Sequence, residues 1–256
     1  MLLHEFDESK HAVINPDDCV SPVADFPKVV VSCFARTTFA RLRDEMQAQQ
    51  IAQVHIANMD IPVYQTVYKG VPVALVMAYV GAPGCCAVLE DVFAMGAEKL
   101  VIFGTCGVLE KAIGDCGVIV PDIAMRDEGT SFHYAPPGDE IAVNVKYKDV
   151  FTGMLDEMNC SYTVGKVWTT DAAYRETREK VNRRKAAGAV CVDMECSAIA
   201  AWAQFRNKDV LQFFYAADNL DGEKWDKRSL GDKENLLAKD RVALLAMEMA
   251  VRMVKG

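Results

Sequence analysis

A chain of 256 residues, 51% of them hydrophobic, can fill one large α/β core without dividing into domains. Its net charge of −8, with basic residues scattered apart from the solvated helix face Arg183-Arg184-Lys185, excludes the electrostatic footprint of a nucleic-acid binder. Nine cysteines without paired CxxC spacing, and an acidic opening segment with no apolar core, point to reduced thiols in a cytoplasmic protein with no metal site, no signal peptide and no membrane span.

In chain order, Val29–Cys33 reads as a buried strand, and the next segment places Phe39, Leu42 and Met46 on one helical face. Residues 62–67 and 71–79 read as a hairpin around Tyr68-Lys69-Gly70. Residues 86–96 are helical, 100–103 and 118–120 are strands, 149–158 a helix, 163–168 a strand, and 175–187 a charged helix stopped by Gly188. A strand at 189–192 runs directly into a helix at 196–205. The last core strand is 210–216 and the closing amphipathic helix 236–254. With no internal repeat and no linker, 1–256 reads as a single domain. The alternation predicts an α/β fold with a mixed, largely parallel sheet covered by helices on both faces.

In such sheets ligands bind beyond the carboxyl ends of the strands. Five polar or glycine-bearing elements fall there: Ala35-Arg36, Gly81-Ala82-Pro83-Gly84, Gly104-Thr105-Cys106-Gly107, Met194-Glu195 and Asp218-Asn219. The third ends the apolar run Leu100-Val101-Ile102-Phe103. It reads either as a tight turn or as a loop in which glycine, permitting positive φ and adding no side chain, lets backbone N–H groups approach a ligand.

Three segments carry a resemblance. They are "LVIFGTCGVLEKAIGDCGVIVPDIAMRDEGTSFHYAP" (100–136), "VCVDMECSAIAAWA" (190–203) and "FFYAADNLDGEKW" (213–225). In this order they resemble the hexameric uridine and purine nucleoside phosphorylase family, which also includes the adenosylhomocysteine-type nucleosidases. The resemblance implies cleavage of an N-glycosidic bond, with Thr105, Cys106 and Gly107 as a floor against base and nucleophile. It implies that Glu195 accepts hydrogen bonds from the ribose hydroxyls in the Asp193-Met194-Glu195 turn, with Met194 packed on the sugar. Asp218, flanked by Phe214, Tyr215, Ala216 and Ala217, is implied as the general acid for a departing purine, since desolvation raises a carboxyl pKa. The pyrimidine-specific Gln-x-Arg reader is not visible in "TTDAAYRETREKV", where Tyr174, Arg175 and Arg178 occupy the lid-like region. Purine is therefore favoured over uridine.

The anion site departs from the family pattern. Ser32-Cys33-Phe34-Ala35-Arg36 stands where relatives carry Gly-Asp-Pro-x-Arg, Ile102 replaces a second arginine, and residues 51–68 hold no Lys or Arg. Arg36, Ser32 and Thr105 remain for inorganic phosphate as co-substrate, with Arg126, Arg175 or Arg178 as substitutes. No organic cofactor or metal is implied. His4 and His11 are weak candidates for reaching a neighbouring site, and His133 reads as a satisfied structural histidine. The resemblance implies a homo-oligomer (dimer or hexamer), with 236–254 and 85–97 as surfaces to bury. The leading expectation is phosphorolysis of a nucleoside to free base and ribose 1-phosphate. The alternatives are a hydrolytic nucleosidase and a non-catalytic nucleoside-binding paralogue.

Overall fold

The computed structural model describes residues 2–231 and 234–256. A short helix α1 (Pro16–Cys19) precedes β1 (Val29–Cys33) and α2 (Arg36–Glu45). A meander of β2 (Gln49–Ile56), β3 (Met59–Tyr68) and β4 (Val71–Met77) leads into α3 (Ala82–Met95) and β5 (Lys99–Val108). The second half runs β6 (Val118–Asp127), β7 (Glu140–Ala142), α4 (Lys148–Glu157), β8 (Tyr162–Thr170) and α5 (Arg178–Ala186). It ends with β9 (Ala189–Asp193), α6 (Cys196–Arg206), β10 (Asp209–Asn219) and α7 (Leu236–Lys255).

These strands form one mixed ten-stranded sheet, as the alternation of elements predicts. Strand β5 is its hinge. Its first half lies parallel between β1 (Val29↔Lys99 to Cys33↔Phe103) and β10, while its second half keeps β10 and takes β9 antiparallel at Gly107↔Val192. β10 continues to β6, β6 to β8 and β8 to β9, so five strands close a ring and β1-β4-β3-β2 extends from it as a wing. Register shifts in β6 (Pro121/Ala124), β8 (Lys166/Val167) and β10 (Ala216/Asp218) supply the bends that closure requires.

Successive strand residues face opposite ways, so each strand feeds two cores. Val29, Val31, Val101 and Phe103 pack with Phe213 beneath α2, α4 and α7. Val30, Leu100 and Ile102 pack beneath α3 and α6. Phe213 stacks on Phe103 at 5.3 Å and meets Phe151 at 4.8 Å. Each such fully buried large side chain contributes roughly 1.5–3 kcal/mol. The apolar faces of α7 and α3, expected to form oligomer surfaces, are spent here: Val242, Leu245, Met249 and Met253 of α7, and Val88, Leu89 and Val92 of α3, are core residues of the same chain. No helix among the described residues is long and apolar enough to cross a membrane.

Several elements differ from the sequence reading, three of them for a clear local reason. β2 is an additional strand in which only Val54 is buried, so the edge position leaves no apolar alternation to detect. α3 begins at Ala82 rather than 86, because Pro83 is tolerated in the first turn and Gly81 enters it at φ 102°. β6 runs on through Pro121 to Asp127, the bulge absorbing the missing donor.

Candidate active site

Gly104-Thr105-Cys106-Gly107 is continuous strand, not a turn or loop, and neither glycine has positive φ. What glycine supplies there is closeness. A Cβ on Gly104 would lie 2.8 Å from the Cβ of Phe34, and one on Gly107 would lie 2.4 Å from Cδ1 of Leu220 and 3.3 Å from Oδ1 of Asp218. The turn after β1 and the end of β10 can therefore close over β5. Between them lies a cavity of about 230 Å³, lined by Thr105, Cys106, Gly107, Asp193, Met194, Glu195 and Asp218 together with Phe34, Val80 and Glu176.

The Asp193-Met194-Glu195 turn is locked by Asp193. Its Oδ1 accepts from Thr169 Oγ1 at 2.7 Å, and its Oδ2 from the N–H groups of Glu195 (2.9 Å) and Cys196 (2.6 Å), where donors at the start of α6 lack helical partners. Asp193, expected among the substrate ligands, has its carboxylate consumed by this cap and positions its neighbours. Glu195 Oε1 accepts from the N–H of Gly81 at 2.5 Å, tying the turn to the start of α3. A further buried layer supports the turn. Ser197 donates to Glu128 Oε1 (2.9 Å), Glu128 Oε2 accepts from the N–H of Ser131 (2.9 Å), and Arg126 Nε donates to Ser131 Oγ (2.8 Å). Glu128 carried no signal in the sequence beyond its place in the 100–136 segment.

Burial, and then the charge of Asp193, push the Glu195 carboxyl up; burial pushes Asp193 up against its hydrogen bonds. The folded protein therefore holds protons that the unfolded chain has released, and stability falls as pH rises above the ordinary carboxylate range through neutrality. The ligand-free protein is expected to melt at a lower temperature near pH 8 than near pH 6, and Glu195→Gln to flatten that slope. Calorimetric scans of both proteins check this; an unchanged slope in the variant would assign the effect elsewhere.

Asp218 follows the bulge at the end of β10, which turns its side chain toward Gly107. Its Oδ2 accepts from Trp225 Nε1 at 2.7 Å, and burial raises its pKa. The Asn219–Asp226 backbone pair (2.8 and 3.0 Å) folds the following loop back. Arg178 clasps that loop, donating to the carbonyls of Leu220 (2.6 Å) and Gly222 (2.5 Å). Arg178 was expected to contact the ligand; its guanidinium is engaged here instead. Beyond Asp218 a second cavity of about 490 Å³ opens, lined by Tyr174, Arg178, Val181, Trp225 and Leu230 and sharing Asp218, Glu176, Ala173 and Leu220 with the first. Tyr174 is fully exposed at its mouth.

Of the expected phosphate ligands Arg36, Ser32 and Thr105, the structure brings Thr105 alone onto the cavity. Ser32 is buried within β1 and Arg36 opens α2 on the exposed side, while Phe34 between them lines the wall. Ile102 is core. Of the substitutes, Arg126 donates to the carbonyl of Pro136 (2.7 Å) as well as to Ser131, Arg178 holds its loop, and Arg175 is exposed outside both linings. No Lys, Arg or His is among the residues lining the 230 Å³ cavity. His4, His11 and His133 are exposed, so His133 is not the satisfied structural residue expected. Among the described residues there is no group of three His, Cys, Asp or Glu side chains placed to hold a metal.

A sequence profile of the phosphorylase superfamily matches residues 28–255. The chain is 23% identical over 147 residues to the guanosine phosphorylase of Halorubrum lacusprofundi, spanning 57% of this chain and 61% of that protein. It is 25% identical over 190 residues to a DeoD-type purine nucleoside phosphorylase of Bacillus cereus, spanning 69% and 79%. To the uridine phosphorylase of Thermococcus kodakarensis it is 25% identical over 107 residues, spanning 42% and 39%. The chain thus matches less than two thirds of the length of the guanosine and uridine phosphorylases. The crystal structure of a uridine phosphorylase from Vibrio fischeri superposes with a TM-score of 0.73 at 20% identity, covering 95% of this chain and 97% of that one.

Proposed function

The chain belongs to the phosphorylase superfamily, and from that premise we propose that it is a pentosyltransferase of the nucleoside phosphorylase kind, moving the ribosyl group of a purine nucleoside to phosphate. The C1′–N bond breaks with its electron pair leaving on the base, positive charge builds on the ribose, and a phosphate oxygen closes on C1′. Such a reaction needs acceptors for the sugar hydroxyls, a proton for the base and a placed nucleophile. Glu195 offers the acceptors from one wall. Asp218 offers the proton from the facing wall, its Oδ1 free because Trp225 occupies Oδ2. Met194 packs against the sugar, Thr105–Gly107 form the floor, and Tyr174 lies at the rim on the base side. The observation that carries this reading is that Glu195 and Asp218, 23 residues apart in sequence, line one cavity with that floor. Inorganic phosphate is the co-substrate and no organic cofactor is called for. The assembly is a homo-oligomer whose partner copy completes the site, a reading supported by Val80, which lines the cavity and is 58% exposed.

Water as the nucleophile is the second reading, favoured by one specific observation: no basic side chain lines the cavity, and Arg126 and Arg178 are committed to backbone carbonyls. Each charge-assisted contact to a phosphate dianion contributes roughly 1.5–3 kcal/mol, so with two fewer arginines the KM for phosphate is expected to be high. Product identity at saturating nucleoside checks the choice. Ribose 1-phosphate formed in proportion to phosphate occupancy supports transfer to phosphate; free ribose at a rate indifferent to phosphate establishes hydrolysis.

A further inference from the structure

Of the four carboxyls lining the first cavity, three are partnered: Asp193 caps α6, Glu195 takes the Gly81 N–H, and Asp218 takes Trp225. The fourth, Glu176, accepts no hydrogen bond from any described residue. It sits at the seam of the two cavities with Asp218, two positions before α5, whose start is capped by the hydroxyl of Thr177. The cation nearest to it electrostatically, Lys180, is paired with Asp127 at 3.3 Å. Burial, and then the charge of Asp218, push the Glu176 carboxyl up to about 7. A half-buried carboxyl near its midpoint takes its ionisation state from whatever donors a ligand brings. Such a group is costly to keep desolvated without donors.

We propose that Glu176 reads the base, its two open oxygens accepting from a pair of adjacent N–H donors, so that the nucleoside taken is a 2-amino-6-oxopurine riboside. This rests on the proposed function, which puts the base beside Asp218. A carboxylate offers two parallel acceptors; the N1–H and 2-amino groups of guanine offer two parallel donors, a charge-assisted bidentate match. Adenine turns an N1 lone pair to the same acceptor and is repelled, while hypoxanthine keeps one donor of the two. The remaining cavity carboxyls cannot do this without giving up the contacts already described.

The test compares kcat/KM for guanosine, inosine and adenosine in wild type, Glu176→Gln and Glu176→Ala. Wild type is expected to prefer guanosine to adenosine by at least tenfold, with inosine between. Both variants are expected to cut that ratio by about 10–100-fold, the worth of a hydrogen bond to a charged group. A merely structural role would lower guanosine and adenosine turnover together and leave the ratio unmoved, and that result overturns the proposal. If no nucleoside is cleaved with or without phosphate, the proposed function fails by itself. Calorimetric binding of free guanine and adenine to the same three proteins then reads the same ratio, and equal or absent binding of the two bases overturns the assignment to Glu176.

Discussion

Asp218→Asn is expected to lower kcat on purine nucleosides by about 10²–10⁴, the usual contribution of a positioned general acid. The substitution is nearly isosteric and keeps an oxygen to accept from Trp225 Nε1, so the loop bridged by Asn219 and Asp226 has no reason to open. What it removes is the transferable proton. Burial raises the Asp218 carboxyl above its ordinary value, with the Trp225 hydrogen bond opposing and Arg228 opposing less. A departing purine anion then takes its proton from water, and leaving-group departure slows. KM should change far less than kcat, because the acid acts as the bond breaks and not on binding. Steady-state kinetics with a nucleoside carrying an activated base sharpens the result: a base that needs no protonation should be cleaved at similar rates by both proteins. Near-wild-type turnover of ordinary purine nucleosides by the variant would remove Asp218 from the acid role.

Much of this arrangement is legible along the chain because the wall residues stand where strands end. Met194-Glu195 and Asp218-Asn219 directly follow apolar runs, and the pairing of Gly107 with both Val192 and Asp218 places them at one rim. Other parts were hidden for identifiable reasons. The GTCG segment is spaced like a turn, yet its glycines serve close approach to Phe34 and Leu220, a contact between elements that no local pattern reports. Asp193 is the same residue type as a ligand; only the positions of Thr169 and the α6 N–H groups reveal a cap. Arg178 looked free because its partners are backbone carbonyls 42 and 44 residues away. Glu176 has no distinguishing signal inside a charged stretch, since a solvated carboxyl and a cavity carboxyl look alike until the bulge in β10 sets Asp218 beside one of them. β2 has no sequence signature because only Val54 of this edge strand is buried, which leaves no apolar alternation along it.

Glu195→Ala is expected to cost kcat/KM for ribosides about 10²–10⁴. In its ionised form the carboxylate keeps acceptor positions beyond the one the Gly81 N–H occupies, enough for both the 2′- and 3′-hydroxyls. Two hydrogen bonds to a charged acceptor are worth roughly 1.5–3 kcal/mol each, and every 1.4 kcal/mol is a factor of about ten. The loss should be larger in kcat/KM than in stability, although the variant also leaves the Gly81 N–H unpaired at the start of α3, a penalty of about 1–3 kcal/mol that thermal melting measures separately. Substrate comparison isolates the sugar contact from that damage. A 2′-deoxyriboside lacks one of the two hydroxyls, so its kcat/KM should fall much less on Glu195→Ala. Loss of the Gly81 anchor alone would slow both substrates alike. Equal losses on riboside and deoxyriboside therefore contradict a dominant 2′ contact. Unchanged kinetics on both would place Glu195 outside the working site, and its hydrogen bond to Gly81 would then be a structural tie between α3 and α6.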